Sequence, residues 1–144
     1  LKTAAELAPN DSRVRRLLAR ALWRAGSYEE AAALYSAIAS RWQHDPEFNY
    51  ERGDTLVRMQ GMEAGLPLLE KAAKDAPELV SARGALGRAL VQAGRAREAI
   101  PHLEAAVKQD PALLLPLSRA YKAAGRAEDA ARAEADFKAR AGQN

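Results

Sequence analysis

Apolar residues recur along the chain every three or four positions, which is the spacing of the buried face of an α-helix. The chain shows no run in which apolar and polar residues alternate as they would in a half-buried strand, so every predicted element is a helix. Glycines and prolines separate the apolar segments. The pattern predicts helices at about 12–25, 28–43, 46–59, 62–75, 80–93, 96–109, 113–124 and 127–140.

One pattern of residues returns at an interval of 34 positions. GLPLLEKA at 65–72 aligns with AIPHLEAA at 99–106, which places Leu69 on Leu103. One further step of the same length towards the amino end reaches Tyr35, another large residue on an apolar face. The chain is therefore built from copies of one helical unit, and no single copy can bury its apolar faces alone.

A unit of this length and pattern resembles the tetratricopeptide repeat, a helix–turn–helix unit with a Leu-Gly pair, a later small residue and a closing proline. Residues 80–111 fit best, with Leu86 and Gly87 at the pair, Ala99 at the small position and Pro111 at the end. The resemblance implies an all-α fold, a right-handed superhelical solenoid of antiparallel helix pairs. One domain at 1–144 would comprise the second helix of a truncated repeat at 1–11, repeats at 12–45, 46–79 and 80–112, and a degenerate repeat with a C-terminal cap at 113–144.

Small residues recur where the two helices of a unit approach each other, because a larger side chain would hold the backbones apart. Glycines that follow the first helices predict left-handed C-caps. Asp-Pro pairs at 45–46 and 110–111 combine a helix-capping carboxylate with a proline suited to the first helical position. The close-approach positions are Ala19, Gly53 and Gly87, and the capping glycines are Gly26, Gly94 and Gly125.

The composition excludes several classes of chemistry. The chain has no cysteine, which rules out disulfides, thiol catalysis and cysteine metal ligands. Its 22 basic and 19 acidic residues leave a net charge of +3, which does not by itself demand a polyanionic partner. No apolar run is long enough to predict a membrane span. The excess of arginine over lysine and the abundance of alanine are typical of a high-GC bacterial source.

The sequence offers no constellation of residues suited to catalysis. His44 and His102 lie in different repeats, and neither belongs to a metal-binding spacing. The adjacent acids at 29–30 and 128–129 fall at the starts of second helices, where they complement the helix dipole. We therefore predict a non-enzyme with no cofactor and no metal.

The resemblance implies that the first helices of the units line a concave groove, which receives a peptide or a helix of a partner protein. We predict a scaffold or adaptor module within a larger chain that binds a partner segment in this way. Trp23 and Tyr50 would serve as aromatic anchors, since aromatic residues and arginine concentrate in interface hot spots. The candidate contacts are Arg13, Arg16, Arg20, Trp23, Tyr50, Asp54, Arg88, Arg119 and Lys122.

Arginines dominate the candidate contacts. Arg20, Arg88 and Arg119 occupy equivalent positions in three units, and Asp54 interrupts the row. Because the guanidinium group suits bidentate capture of carboxylates, the pattern predicts an acidic partner segment. The alternative interpretation is that these arginines form a solvated face.

Two other kinds of partner remain as alternatives. The arginine-rich helix at 12–25 would supply an electrostatic footprint for nucleic acid. The low net charge and the interrupting acids Glu47, Glu51 and Asp54 argue against nucleic acid. Self-association of repeat stacks is the other alternative. Capture of chaperone tails is disfavoured, because Glu51 replaces an asparagine of the carboxylate-holding set that those repeats use.

Overall fold

The computed structural model describes residues 10–143 of the 144-residue chain. Within this part the chain is helical and forms no β-strand, as predicted, and every predicted helix is present with ends that differ by two residues or fewer. The second helix of a truncated repeat, predicted at 1–11, lies almost wholly outside the described residues. The helices are α1 (Ser12–Arg24), α2 (Tyr28–Trp42), α3 (Pro46–Arg58), α4 (Met62–Asp75), α5 (Val80–Gln92), α6 (Ala96–Val107), α7 (Leu114–Ala123) and α8 (Ala127–Ala141), with a 3₁₀ turn at Pro111–Leu113.

The chain divides into two compact units, Leu1–Asp75 and Ala76–Asn144. In the first unit α1 packs against α2, α2 against α3, and α3 against α4. In the second unit α5 packs against α6, α6 against α7, and α7 against α8. Each unit thus contains two of the predicted helix pairs. The assignment of 1–144 to one domain stays a prediction.

Glycines end the first helices in the left-handed conformation, as predicted for Gly26, Gly94 and Gly125. Their φ angles are 82°, 77° and 79°, which cost glycine little because it has no Cβ. The next residue then donates its N–H back into the helix, as Ser27 does to the Leu22 carbonyl over 2.8 Å. The turn between α3 and α4 departs from this rule, because Gln60 takes the left-handed position with a φ of 64°.

The Asp-Pro pairs begin new elements. Asp45 is the N-cap of α3, and its Oδ1 accepts a hydrogen bond of 3.1 Å from the N–H of Phe48. Asp110 caps the 3₁₀ turn in the same manner, since Oδ1 accepts from the N–H of Ala112 over 3.2 Å. The short turn delays the start of α7 to Leu114, one residue later than predicted.

Small residues let the paired helices approach closely, as predicted for Gly53 and Gly87. A Cβ on Gly65 in α4 would lie 2.7 Å from the carbonyl oxygen of Gly53 in α3. A Cβ on Gly87 in α5 would lie 2.5 Å from Cγ of Leu103 in α6, which is fully buried. In α7 the equivalent residue is Ser118, whose buried hydroxyl donates to the Ala130 carbonyl over 3.2 Å.

Candidate functional site

Five candidate contacts of the first unit lie where α1 meets α3. Arg16 of α1 donates from Nη1 to Oδ2 of Asp45 over 2.9 Å. Its guanidinium carbon lies 4.5 Å from the ring centroid of Trp42 and 5.6 Å from that of Phe48, which are cation–π distances. Burial would raise the pKa of Asp45, but the hydrogen bonds from Arg16 and from the N–H of Phe48 bring it below its ordinary value. Arg16 therefore links the helices of two successive repeats.

Arg20 contacts α3 one turn further along. Its Nε donates to Oε1 of Glu51 over 2.7 Å, and the hydroxyl of Tyr35 donates to Oε2 of the same carboxylate over 3.0 Å. The side chain of Glu51 is 2% exposed. Burial raises the pKa of Glu51, and the nearby charge of Arg20 opposes that rise. Glu51 is thus a buried carboxylate with a donor on each oxygen.

Trp23 completes the contact between α1 and α3. The indole Nε1 donates to Oδ2 of Asp54 over 2.7 Å, and Nε of Arg58 donates to the same oxygen over 2.8 Å. Trp23 also meets Tyr50 edge to face, with ring centroids 5.5 Å apart. Two of the residues predicted to bind a partner, Trp23 and Asp54, therefore bind each other.

Arg13 lies at the start of α1 and is exposed. Its Nη2 lies 3.3 Å from Oδ2 of Asp11, the N-cap of the same helix. The hydrogen bonds from Arg13 lower the pKa of Asp11. An exposed pair of this kind contributes little to stability, so Arg13 is available to a ligand.

The structure thus brings five of the predicted residues of the first unit together, but as partners of neighbouring side chains. Glu51, predicted only as an acid that interrupts the basic surface, instead accepts hydrogen bonds from Arg20 and Tyr35. A signal was present in the spacing. Arg20 and Glu51 are 31 residues apart, as are Trp23 and Asp54, which is one repeat less one turn of helix. An acid at that offset could have identified the contacts of Arg20 and Trp23, but not the ion pair of Arg16 with Asp45, which lie 29 residues apart.

The second unit presents its candidate cations differently. Arg88 of α5 and Arg119 of α7 are exposed, and neither makes an ion pair with another residue in the described part of the chain. Lys122, one turn after Arg119, pairs with Glu134 of α8. The hydrogen bonds from Lys122 and Ser118 lower the pKa of Glu134. Two arginines at equivalent repeat positions therefore keep all their side-chain donors for solvent or a ligand.

Between residues 10 and 143, no three His, Asp or Glu side chains are grouped closely enough to hold a metal ion. None of the described helices is both long and apolar enough to span a bilayer. An open cavity of about 480 Å³ lies in the first unit, lined by Gly26, Ser27, Tyr28, Glu29, Glu30, Arg58 and Met59.

Comparison with protein families gives matches along the chain. A family model described as tetratricopeptide repeat matches residues 50–113 and again residues 84–143. A second model with the same description matches residues 1–50. No curated protein sequence matches the chain.

Comparison with solved structures gives matches among proteins titled MamA. A MamA mutant is 25% identical with a TM-score of 0.80, over 85% of this chain and 73% of that one. MamA from Desulfovibrio magneticus RS-1 is 25% identical with a TM-score of 0.77, over 89% of this chain and 74% of that one. Another MamA crystal structure is 17% identical with a TM-score of 0.80, over 94% of this chain and 76% of that one. Together with the family matches, these likenesses confirm the predicted all-α repeat fold.

Proposed function

Because the chain belongs to the tetratricopeptide repeat family, we propose that it binds an acidic segment of a partner protein. Repeats of this family form protein–protein interaction modules. Beyond this general role, we propose that the bound segment is acidic, and we propose which residues contact it. Binding takes place without chemical change, so the residues need only to match the charge and the hydrogen-bonding groups of the partner.

The observation that carries this proposal is the exposed pair Arg88 and Arg119 in the second unit. They lie on the first helices of two successive helix pairs, α5 and α7, which contact each other. A guanidinium group offers five N–H donors in a planar fork, and a carboxylate accepts two of them at once. Lys122 on α7 is a third cation, and it already forms an ion pair with Glu134. An acidic segment would satisfy Arg88 and Arg119, for which the described residues provide no carboxylate partner.

The candidate contacts of the first unit differ from Arg88 and Arg119, because most of them already have partners within the protein. Arg16, Arg20 and Trp23 already donate to acceptors on α3 or at its N-cap. Breaking a half-buried or buried pair leaves its carboxylate without a partner, which costs more than an exposed contact returns. A ligand therefore gains most from donors that are not engaged internally.

The test measures the affinity of the 144-residue chain for a fluorescein-labelled decaglutamate peptide with blocked ends. Fluorescence anisotropy gives the dissociation constant, with decaglutamine as the uncharged comparison. Arg88→Gln combined with Arg119→Gln should weaken decaglutamate binding about three- to tenfold, the range for two exposed charge pairs. The matched control is Arg97→Gln combined with Lys108→Gln, which removes two exposed cations from the α6 region of the same unit.

Three results would count against the proposal. The first is the absence of decaglutamate binding, and the second is an equal loss in the two double variants, since that would reflect net charge alone. The third concerns the class of partner. A ten-nucleotide single-stranded thymidine oligomer carries a similar charge, and if it bound as tightly as the peptide, a protein segment would no longer be favoured.

A further inference from the structure

Arg20 differs from its neighbours in how much of its guanidinium group is engaged. Among the described residues it makes hydrogen bonds through Nε alone, to Glu51. The nearest acid to its Nη2 is Glu47, whose Oε1 lies at 3.7 Å, beyond a normal hydrogen bond. The side chain of Arg20 is 25% exposed. The end of the guanidinium group therefore has donors that no neighbour satisfies well.

The buried side of Arg20 is held firmly. Glu51 accepts from Nε on one oxygen and from the Tyr35 hydroxyl on the other. Both Glu51 and Tyr35 are buried, so the carboxylate cannot turn away without losing a bond in a site closed to water. A guanidinium group fixed through Nε keeps its two Nη groups in place for a bidentate contact, with little entropy left to lose.

Glu47 lies on the open side of the same guanidinium group. Its side chain is 59% exposed, and the 3.7 Å contact with Nη2 is an ion pair in solvent rather than a buried bond. Such a pair is weak and can exchange. A carboxylate from a ligand would satisfy the same Nη donors that Glu47 now approaches.

We infer that Glu47 is an internal competitor, and that a ligand carboxylate binds Arg20 in the first unit by displacing it. Glu51 and Tyr35 hold Arg20 in place from behind, and Glu47 lowers the affinity of the site for acids. This inference rests on the proposed function, because it assumes that acidic segments are the ligands. It concerns a contact within the first unit, separate from Arg88 and Arg119.

The experiment uses the labelled decaglutamate peptide and measures its dissociation constant for variants of the whole chain. Glu47→Gln should tighten binding about two- to fivefold, the range expected from removing one exposed competing pair. Glu63→Gln is the matched control, since it removes an exposed acid from the start of α4 in the same unit. It should tighten binding less, because only the net charge changes.

A second comparison tests whether Arg20 is the group that Glu47 competes for. Arg20→Gln is combined with Glu51→Gln, so that no buried carboxylate loses its cation, and circular dichroism checks that the chain stays folded. On this background Glu47→Gln should give no more than the effect of Glu63→Gln. Equal effects of the two glutamate substitutions in the wild type, or a gain that persists without Arg20, would overturn the inference.

The two proposals fail in different ways in this assay. A loss of binding in the Arg88→Gln, Arg119→Gln variant, together with no specific gain from Glu47→Gln, would leave the proposed function standing and remove the inference. Absence of decaglutamate binding by both the wild type and Glu47→Gln would remove both.

Discussion

The indole Nε1 of Trp23 donates a 2.7 Å hydrogen bond to Oδ2 of Asp54, and so joins the first helices of two successive repeats. Asp54 is 8% exposed, so its carboxylate depends on protein donors rather than on water. Arg58 supplies the other donor to the same oxygen. The bond therefore stabilises the contact between α1 and α3, so Trp23 and Asp54 are structural residues and not only candidate contacts for a partner.

Trp23→Phe should lower the free energy of unfolding by about 1–3 kcal/mol, because it removes one donor from a buried carboxylate. Urea unfolding at pH 7 measures the change. Trp42→Phe is the control, since its buried Nε1 has no hydrogen-bond partner among residues 10–143 and the substitution removes no hydrogen bond there. That variant should lose less stability than Trp23→Phe. Equal losses would mean that ring size, and not the bond to Asp54, decides the effect.

The helices were predictable because local chemistry fixes their ends. Gly26, Gly94 and Gly125 take the left-handed conformation that ends a helix, and Asp45 accepts the N-terminal hydrogen bond of α3. The left-handed turn at Gln60 was not predictable in the same way. Any residue other than glycine pays a steric cost there, so the sequence carries no distinctive signal of it.

The partners of the predicted site residues could not be read from periodicity alone. A helical pattern places Arg16 and Arg20 on one face of α1, but not the residues of the next repeat that meet this face. The ion pairs depend on how far α3 is shifted along α1, which packing decides. Arg88 and Arg119 were placed by the same repeat alignment as Arg20. Only the structure shows that Arg20 pairs with Glu51, whereas Arg88 and Arg119 have no ion-pair partner among the described residues.

Gly65→Ala should destabilise the first unit by about 1–3 kcal/mol, even though alanine favours a helix over glycine by ~1 kcal/mol. The added Cβ would meet backbone atoms, at 2.7 Å from the Gly53 oxygen and 2.9 Å from the Val57 nitrogen, and these cannot move independently of α3. Thermal or urea unfolding gives the measurement.

Gly84→Ala provides the comparison for Gly65→Ala. Its added Cβ would lie 3.1 Å from Cδ1 of Leu113, which is the end of a flexible side chain. The loss should therefore be smaller, with the gain in helix propensity offsetting part of it. A larger loss for Gly84→Ala would show that Leu113 has less freedom than the backbone of α3.

Gln60→Gly should raise the free energy of unfolding by about 0.5–1 kcal/mol. Glutamine at a φ of 64° is strained, whereas glycine adopts this conformation freely and loses only part of the gain to its more flexible unfolded state. Gln92→Gly, at the exposed end of α5 in ordinary helical conformation, should instead lower stability. The same direction of change in both variants would contradict the assignment of strain to Gln60.

Glu51 should make the stability of the chain depend on pH in the opposite sense to most carboxylates. Burial raises the pKa of Glu51 above its ordinary value of 4.5, despite the opposing charge of Arg20. Between 4.5 and the raised value, the folded chain binds more protons at this group than the unfolded chain does. The contribution of Glu51 to stability therefore increases as the pH falls through that window and decreases as the pH rises.

The measurement compares wild type with Glu51→Gln, which does not titrate, by urea unfolding between pH 7 and pH 4.5. The difference in free energy of unfolding should move in favour of the wild type as the pH falls. Asp45→Asn is the control, because the pKa of Asp45 is lowered from 3.8 and its contribution is lost only as the pH falls below that value. The difference between wild type and Asp45→Asn should therefore stay constant between pH 7 and pH 4.5. If the difference between wild type and Glu51→Gln instead moved against the wild type, the charge of Arg20 would outweigh the cost of burying the carboxylate. Arg20 would then be held by a fully ionised partner over the whole range.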